Sequence, residues 1–205
     1  MRRLGRAERR EQILAAATAA FARGGYAATS LDDIATEAGI TRVILYRHFD
    51  SKTDLYQAVL DRFCDLLAGN VTERTGGFTE ASLAGLLRAA AAEPAGFRLL
   101  FHHAAREPQF RARADQVRRE ITEAALVQIA AVVPDQAWAR WAAQLAPTVA
   151  IEAITAWLDA GRPDPASVVE RVRQLVVGVV TAAAQSGVDC DTQRPDHPTR
   201  SGGEP

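Results

Sequence analysis

Ser30-Leu31-Asp32-Asp33-Ile34-Ala35-Thr36-Glu37-Ala38-Gly39-Ile40-Thr41-Arg42-Val43-Ile44-Leu45-Tyr46-Arg47-His48-Phe49 decides the fold. Ser30 with Asp33 three positions on is a capping-box pattern, so a helix is predicted to start there. Leu31, Ile34, Ala35 and Ala38 fall at i, i+3, i+4 and i+7 and form one apolar stripe. Gly39 follows where a helix end favours a left-handed residue. Ile40 then anchors the turn, and Thr41 caps a second helix whose Leu45 and Phe49 point inward. Two short helices joined by a tight turn are the arrangement that sets one helix into a DNA major groove.

The second helix leaves Arg42, Val43, Ile44, Tyr46, Arg47 and His48 facing outward or sideways. Exposed valine and isoleucine make a poor solvated surface, yet they suit base edges and thymine methyl groups. An ordinary helical hairpin with a few exposed apolar residues is the competing reading of the same stretch.

The segment resembles the TetR family of transcriptional repressors from about Arg9 to Leu60. The resemblance rests on Ala-Phe-Ala-Arg-Gly-Gly-Tyr at residues 20–26 and Ala-Thr-Ser-Leu-Asp-Asp-Ile-Ala at 28–35. Ala-Gly-Ile-Thr at 38–41, Leu-Tyr-Arg-His-Phe at 45–49 and Ser-Lys-Thr-Asp-Leu at 51–55 complete it. It implies phosphate contacts from Thr29, Ser30, Thr41, Tyr46 and Lys52, and a groove-facing set of Arg42, Val43, Ile44, Arg47 and His48. The family often has a small residue in the place of Val43 and a small hydroxylated one in that of Ile44. The two branched side chains here favour an operator with thymine methyls at the reading position.

Charge distribution fits a duplex binder. Residues 1–52 carry nine basic and six acidic groups, while the remainder carries fifteen and nineteen, so a net charge of −1 conceals a positive N-terminal segment. Lys52 is the sole lysine among 24 basic residues, which suits either a phosphate contact or a codon bias toward arginine. The arginines of the first ten residues form either an arm along DNA or a solvated surface. Cys64 and Cys190 are too few for a disulfide framework or a zinc module. With no leader pattern and no apolar run of spanning length, a soluble cytoplasmic protein without membrane contact, metal or cofactor is expected.

An all-α protein is predicted: a three-helix DNA-binding head over 1–52, a larger helical effector-binding and dimerisation body over 53–187, and a disordered tail over 188–205. After the fourth helix, Gly76-Gly77 marks a connection. Helices are expected at about 79–92 capped by Thr79, about 94–104 opening on Pro94, Pro108 to Val133, Asp135 to Gly161 with a kink at Pro147, and about 164–186. The apolar breadth of the last two marks Trp157, Leu158, Val168, Val172, Leu175, Val176 and Val179 as dimer candidates. Two helices buried centrally in one body would show the same pattern. In TetR-like proteins these helices pair as a four-helix bundle, which implies a homodimer on an inverted-repeat operator.

An effector pocket is expected within residues 83–160, with His102, Arg106, Trp138, Trp141, Gln144 and Glu152 as candidate lining. Each also has a packing or surface explanation. Helical spacing would set His102 and Arg106 on one face and His103 on another. The function predicted is a ligand-responsive regulator, a repressor by the family's default, released from DNA by a small molecule. The competing classes are an effectorless DNA-binding dimer and an all-helical enzyme using His102 or His103 as base. Against an enzyme, no phosphate loop, metal spacing or activated serine motif is present.

Overall fold

A computed structural model describes residues 5–71 and 80–185, and every regular element among them is helical. In chain order they are α1 (Arg6–Ala28), α2 (Leu31–Glu37), α3 (Arg42–Tyr46), α4 (Lys52–Asn70), α5 (Glu80–Ala92), α6 (Pro94–Arg98), α7 (Arg111–Ile129), α8 (Gln136–Asp159) and α9 (Val168–Gln185). The expected cap at Thr79, the Gly76-Gly77 connection and the tail over 188–205 lie outside the described residues.

The polar signals fix the helix starts. The Ser30 hydroxyl accepts from the Asp33 N–H while the Asp33 carboxylate accepts from the Ser30 N–H, closing the capping box. The Ser30 hydroxyl also donates to Asp33 Oδ2 at 2.6 Å, and that bond first, then the one from the Ser30 N–H, holds the Asp33 carboxyl below its ordinary pKa. Gly39 takes φ +63°, which ends α2 as a left-handed residue. Asp135 caps α8 by accepting from Ala137 and Trp138.

Three boundaries differ from the sequence expectation. The helix read over 94–104 is α only to Arg98; a π-helical turn spans Leu99–His103 and a 3-10 turn Ala104–Arg106. This changes the angular spacing, so Arg106 is exposed while His102 is half-buried. α7 starts at Arg111 rather than Pro108 because Glu107–Phe110 forms a turn that drives Phe110 into the core. α9 starts at Val168 rather than about 164. Arg162 and Asp164 have positive φ, and a Ser167 hydroxyl hydrogen bond to Asp164 closes the turn between Pro163 and the helix. α8 passes through Pro147 unbroken, where the missing N–H removes the intrahelical partner of the Ala143 carbonyl.

One apolar core runs from Ile13 and Phe21 of α1 through Leu55, Val59 and Phe63 of α4 to Ile154 and Val172 in α8 and α9. Among the described residues this core is continuous between residues 5–52 and those that follow. A smaller alanine-rich cluster joins α7, α8 and α9 through Ala125, Ala139, Ala142, Ala146 and Ala183. Gly85 lets α5 press on the end of α4, since a Cβ there would sit 2.4 Å from the Asn70 carbonyl oxygen.

The joint between head and body is aromatic. Tyr56 of α4 lies 4.3 Å from Phe110, 4.8 Å from Phe21 and 5.2 Å from Tyr26, centroid to centroid. Its hydroxyl is buried without a hydrogen-bond partner, and burial pushes its pKa well above the ordinary phenol value. An orphaned buried hydroxyl costs free energy that phenylalanine does not. Tyr56→Phe is therefore expected to raise stability by about 1 kcal/mol, read from the denaturant midpoint.

Candidate nucleic-acid interface

α2 and α3, with their caps, carry most of the residues expected to meet DNA. Leu45 and Phe49 are buried in the core that they share with residues of α1, α2 and α4, which rotates Arg42, Val43, Tyr46 and Arg47 to the outside and leaves Ile44 and His48 half-buried. Val43 is 64% exposed and Tyr46 43%. Thr41 caps α3 through a 3.4 Å bond from the Ile44 N–H, and Ser30 caps α2, so both hydroxyls stand at exposed helix N-termini. Helix N-termini are favourable positions for phosphate oxygens.

Arg42 does not wave freely. Its Nη1 donates to Asp32 Oδ2 at 2.9 Å and its Nη2 to Tyr46 Oη at 3.2 Å, with the guanidinium 5.4 Å from the Tyr46 ring centroid. At the other end of α3, burial first and then Arg6, Arg10 and Arg9 hold the His48 imidazole below its ordinary pKa. The Arg10 guanidinium stacks 4.5 Å from the Phe49 ring centroid. Arginines of α1 thus gather beside the C-terminal end of α3, a grouping sequence spacing alone did not reveal.

Thr29 and Lys52 differ from the expectation in what their polar atoms do. Thr29 is buried, and its hydroxyl donates to the Gly25 carbonyl at 2.7 Å. Lys52 Nζ donates to the carbonyls of Tyr26, Ala27 and Thr29 at 2.8, 3.3 and 3.1 Å and lies 4.4 Å from the Tyr26 ring centroid. Tyr26 Oη in turn bonds Thr53 Oγ1 at 2.9 Å. Both side chains tie the end of α1 to the elements that follow it.

The six residues expected to line a pocket do not share one cavity among the described residues. Trp138 and Trp141 meet edge to face at 5.5 Å on the outer surface of α8, 40% and 42% exposed, and Arg106 faces solvent. His102 and Glu152 do come together. His102 Nε2 lies 2.8 Å from Thr155 Oγ1, whose hydroxyl donates to the Ile151 carbonyl, and Nδ1 lies 3.9 Å from Glu152. Burial and the neighbouring Arg106 lower the pKa of His103. Gln144 lines a separate open cleft of about 370 Å³ between α7 and α8 with Arg118, Arg119, Thr122, Asp115 and Glu123. A smaller cleft of about 140 Å³ adjoins it at Ile121, Pro147 and Ile151. Arg118 borders both and donates to the Phe101 carbonyl at 2.6 Å.

The dimer candidates divide similarly. Leu158, Val168 and Val172 are buried within the single chain, because α9 lies along α8 and takes up their faces, and Trp157 is tied to the Pro163 carbonyl through Nε1. Leu175 is 51% exposed, and Val176 and Val179 are half-buried. Among the described residues of the body, the exposed large apolar side chains are instead Val127, Val132, Trp138, Trp141, Leu175 and Val177.

Residues 13–59 match the profile of bacterial regulatory proteins of the tetR family. Over 185 residues the chain is 33% identical to the HTH-type transcriptional activator FasR of Mycolicibacterium smegmatis, covering 86% of this chain and 84% of FasR. Over 54 residues it is 52% identical to the HTH-type transcriptional regulator TtgR of Pseudomonas putida, covering 26% of each chain. A crystal structure of a tetR-family transcriptional regulator from Streptomyces coelicolor matches the fold with a TM-score of 0.65. That match has 25% sequence identity and covers 88% of this chain and 84% of that one.

Proposed function

We propose, since this chain belongs to the TetR family of transcriptional regulators, that it binds an inverted-repeat operator as a homodimer and leaves it when a small-molecule effector occupies the body. The observation that carries this reading is α3, whose Val43, Arg42, Tyr46 and Arg47 stand outward around a helix locked by Leu45 and Phe49. Arg47 and Arg42 suit guanine edges or phosphates, and Val43 with Ile44 suits thymine methyls. Ser30, Thr41, Tyr46 and His48 supply the neighbouring polar contacts. Thr29 and Lys52 act on DNA by holding α1, α2 and α4 in register.

Regulation requires that an effector favour one of two arrangements by its differential affinity. The clefts between α7 and α8 supply room, and Phe110, which precedes α7, touches both Tyr26 and Tyr56. A shift of α7 therefore reaches α1 and α4 through direct contact. The cytoplasm is the place for such a protein, and no helix among the described residues is long and apolar enough to cross a membrane. Repression follows where the operator overlaps a promoter. FasR, similar along most of its length, is named as an activator, which favours activation as a second reading.

The test is binding of purified protein to DNA upstream of its own coding region at two salt concentrations. Sequence-selective, salt-weakened binding reduced by Arg47→Ala and by Tyr46→Phe supports the reading; no selectivity against a random-sequence pool ends it. Transcription in vitro from the bound fragment decides its sign. Replacing thymines of the bound half-site by deoxyuridine is expected to weaken binding by about 1 kcal/mol where a methyl meets Val43 or Ile44. Unchanged affinity at every thymine would assign those side chains to packing.

A further inference from the structure

We propose that Asp32 is a positioning residue that sets DNA specificity: its carboxylate, with Tyr46, holds the Arg42 guanidinium toward a base edge and withholds it from the phosphate backbone. The inference rests on α3 being the reading helix. Arg42 is the first residue of α3, and side chains at the start of a recognition helix are those that meet base edges. An unrestrained arginine there would meet the nearest phosphate, because backbone contacts dominate protein–DNA binding and carry no sequence information.

Here the guanidinium is anchored from two helices. Asp32 of α2 takes Nη1 at 2.9 Å, and the Tyr46 hydroxyl one turn along α3 takes Nη2 at 3.2 Å. The Tyr46 ring underlies the cation. The remaining donors are left for an acceptor pair such as guanine O6 and N7.

Asp32 lies in the first turn of α2, where a carboxylate meets the helix dipole favourably, but that modest contribution does not need the bond to Arg42. Asp33, not Asp32, completes the capping box with Ser30. Both members of the Asp32–Arg42 pair are more than half exposed, and exposed ion pairs add little to folding. An unpaired carboxylate on a DNA-facing surface would repel phosphate. Paired with Arg42 it cancels one positive charge of the surface, which lowers affinity for any duplex while fixing the group that reads one.

Asp32→Asn keeps the side-chain shape and removes the charge. Affinity is measured for the operator and for a random-sequence duplex of equal length over a salt series, with thermal melting to compare folding. The expected result is tighter random-duplex binding, a salt dependence steeper by about 0.9 in log–log slope, and an operator-to-random ratio reduced about tenfold. Arg42→Lys, which keeps the charge but cannot be held at two points, is expected to lower the ratio as well. In an Arg42→Ala background, Asp32→Asn is expected to leave the ratio unchanged. An unaltered ratio and slope in Asp32→Asn, or the same change in the Arg42→Ala background, overturns the proposal. A wild-type protein with no operator preference overturns the regulator reading with it, whereas wild-type preference with an inert Asp32→Asn overturns this proposal alone.

Discussion

Lys52→Ala is expected to destabilise the protein by about 3 kcal/mol and to lower its melting temperature by roughly 6–10 °C, with loss of operator binding as a consequence. One ammonium serves three carbonyls at the end of α1, from Tyr26, Ala27 and Thr29. Hydrogen bonds to a charged group contribute about 1.5–3 kcal/mol each, but three from one cation share a single desolvation and do not sum. Gly25 is non-helical, with φ +73° and ψ 171°, so these carbonyls belong to the turn that follows the break in α1, and Lys52 ties that turn to the start of α4 from 23 or more residues away. The same charge sits unfavourably at the N-terminus of α4, and the three carbonyls together with the Tyr26 ring offset that.

Lys52→Arg is expected to recover only part of the loss, since a planar fork cannot reach three carbonyls arranged around one point. Thermal unfolding and operator titration on the same samples decide between two roles. A lower melting temperature with lost binding makes Lys52 a structural tie. An unchanged melting temperature with weaker, less salt-dependent binding makes it the phosphate contact that the family resemblance implies.

The difference between those roles marks what the sequence could convey. Ser30, Gly39, Thr41 and Asp135 were readable because each acts within four residues of itself, through a cap or a left-handed turn. The carbonyls that Lys52 meets lie 23 or more residues earlier, after the break at Gly25, and no local pattern encodes that approach. The π-helical turn at Leu99–His103 was hidden for a related reason. Its residues favour a regular helix locally, while packing of Phe97, Leu100, Phe101 and Ala104 into the core accompanies the altered winding. Periodicity identified the apolar faces of α8 and α9 without telling which neighbour covers them. Val168 and Val172 are covered by their own chain, whereas Trp138 and Trp141, expected near a ligand, stand uncovered.

For the homodimer proposed above, Trp138→Glu combined with Trp141→Glu is expected to give a monomer, raising the dimer dissociation constant at least a thousandfold, about 4 kcal/mol. A two-fold interface presents the same patch twice, so the double variant removes four aromatic side chains and introduces four carboxylates. Tryptophans are among the largest contributors to interface energy, and a carboxylate facing its own copy adds repulsion and desolvation. Within one chain the pair is 40% and 42% exposed, so its replacement leaves both core clusters intact and the monomer folded. Sedimentation velocity gives the oligomeric state, and titration of full and half operators gives the consequence: the variant should lose the advantage of the full site and bind either one weakly. Trp157→Ala serves as the contrast, because its indole N–H bonds the Pro163 carbonyl inside the chain and its loss should leave the dimer in place. A dimer that survives both glutamates would move the interface to the side of α9 that carries the exposed Val177.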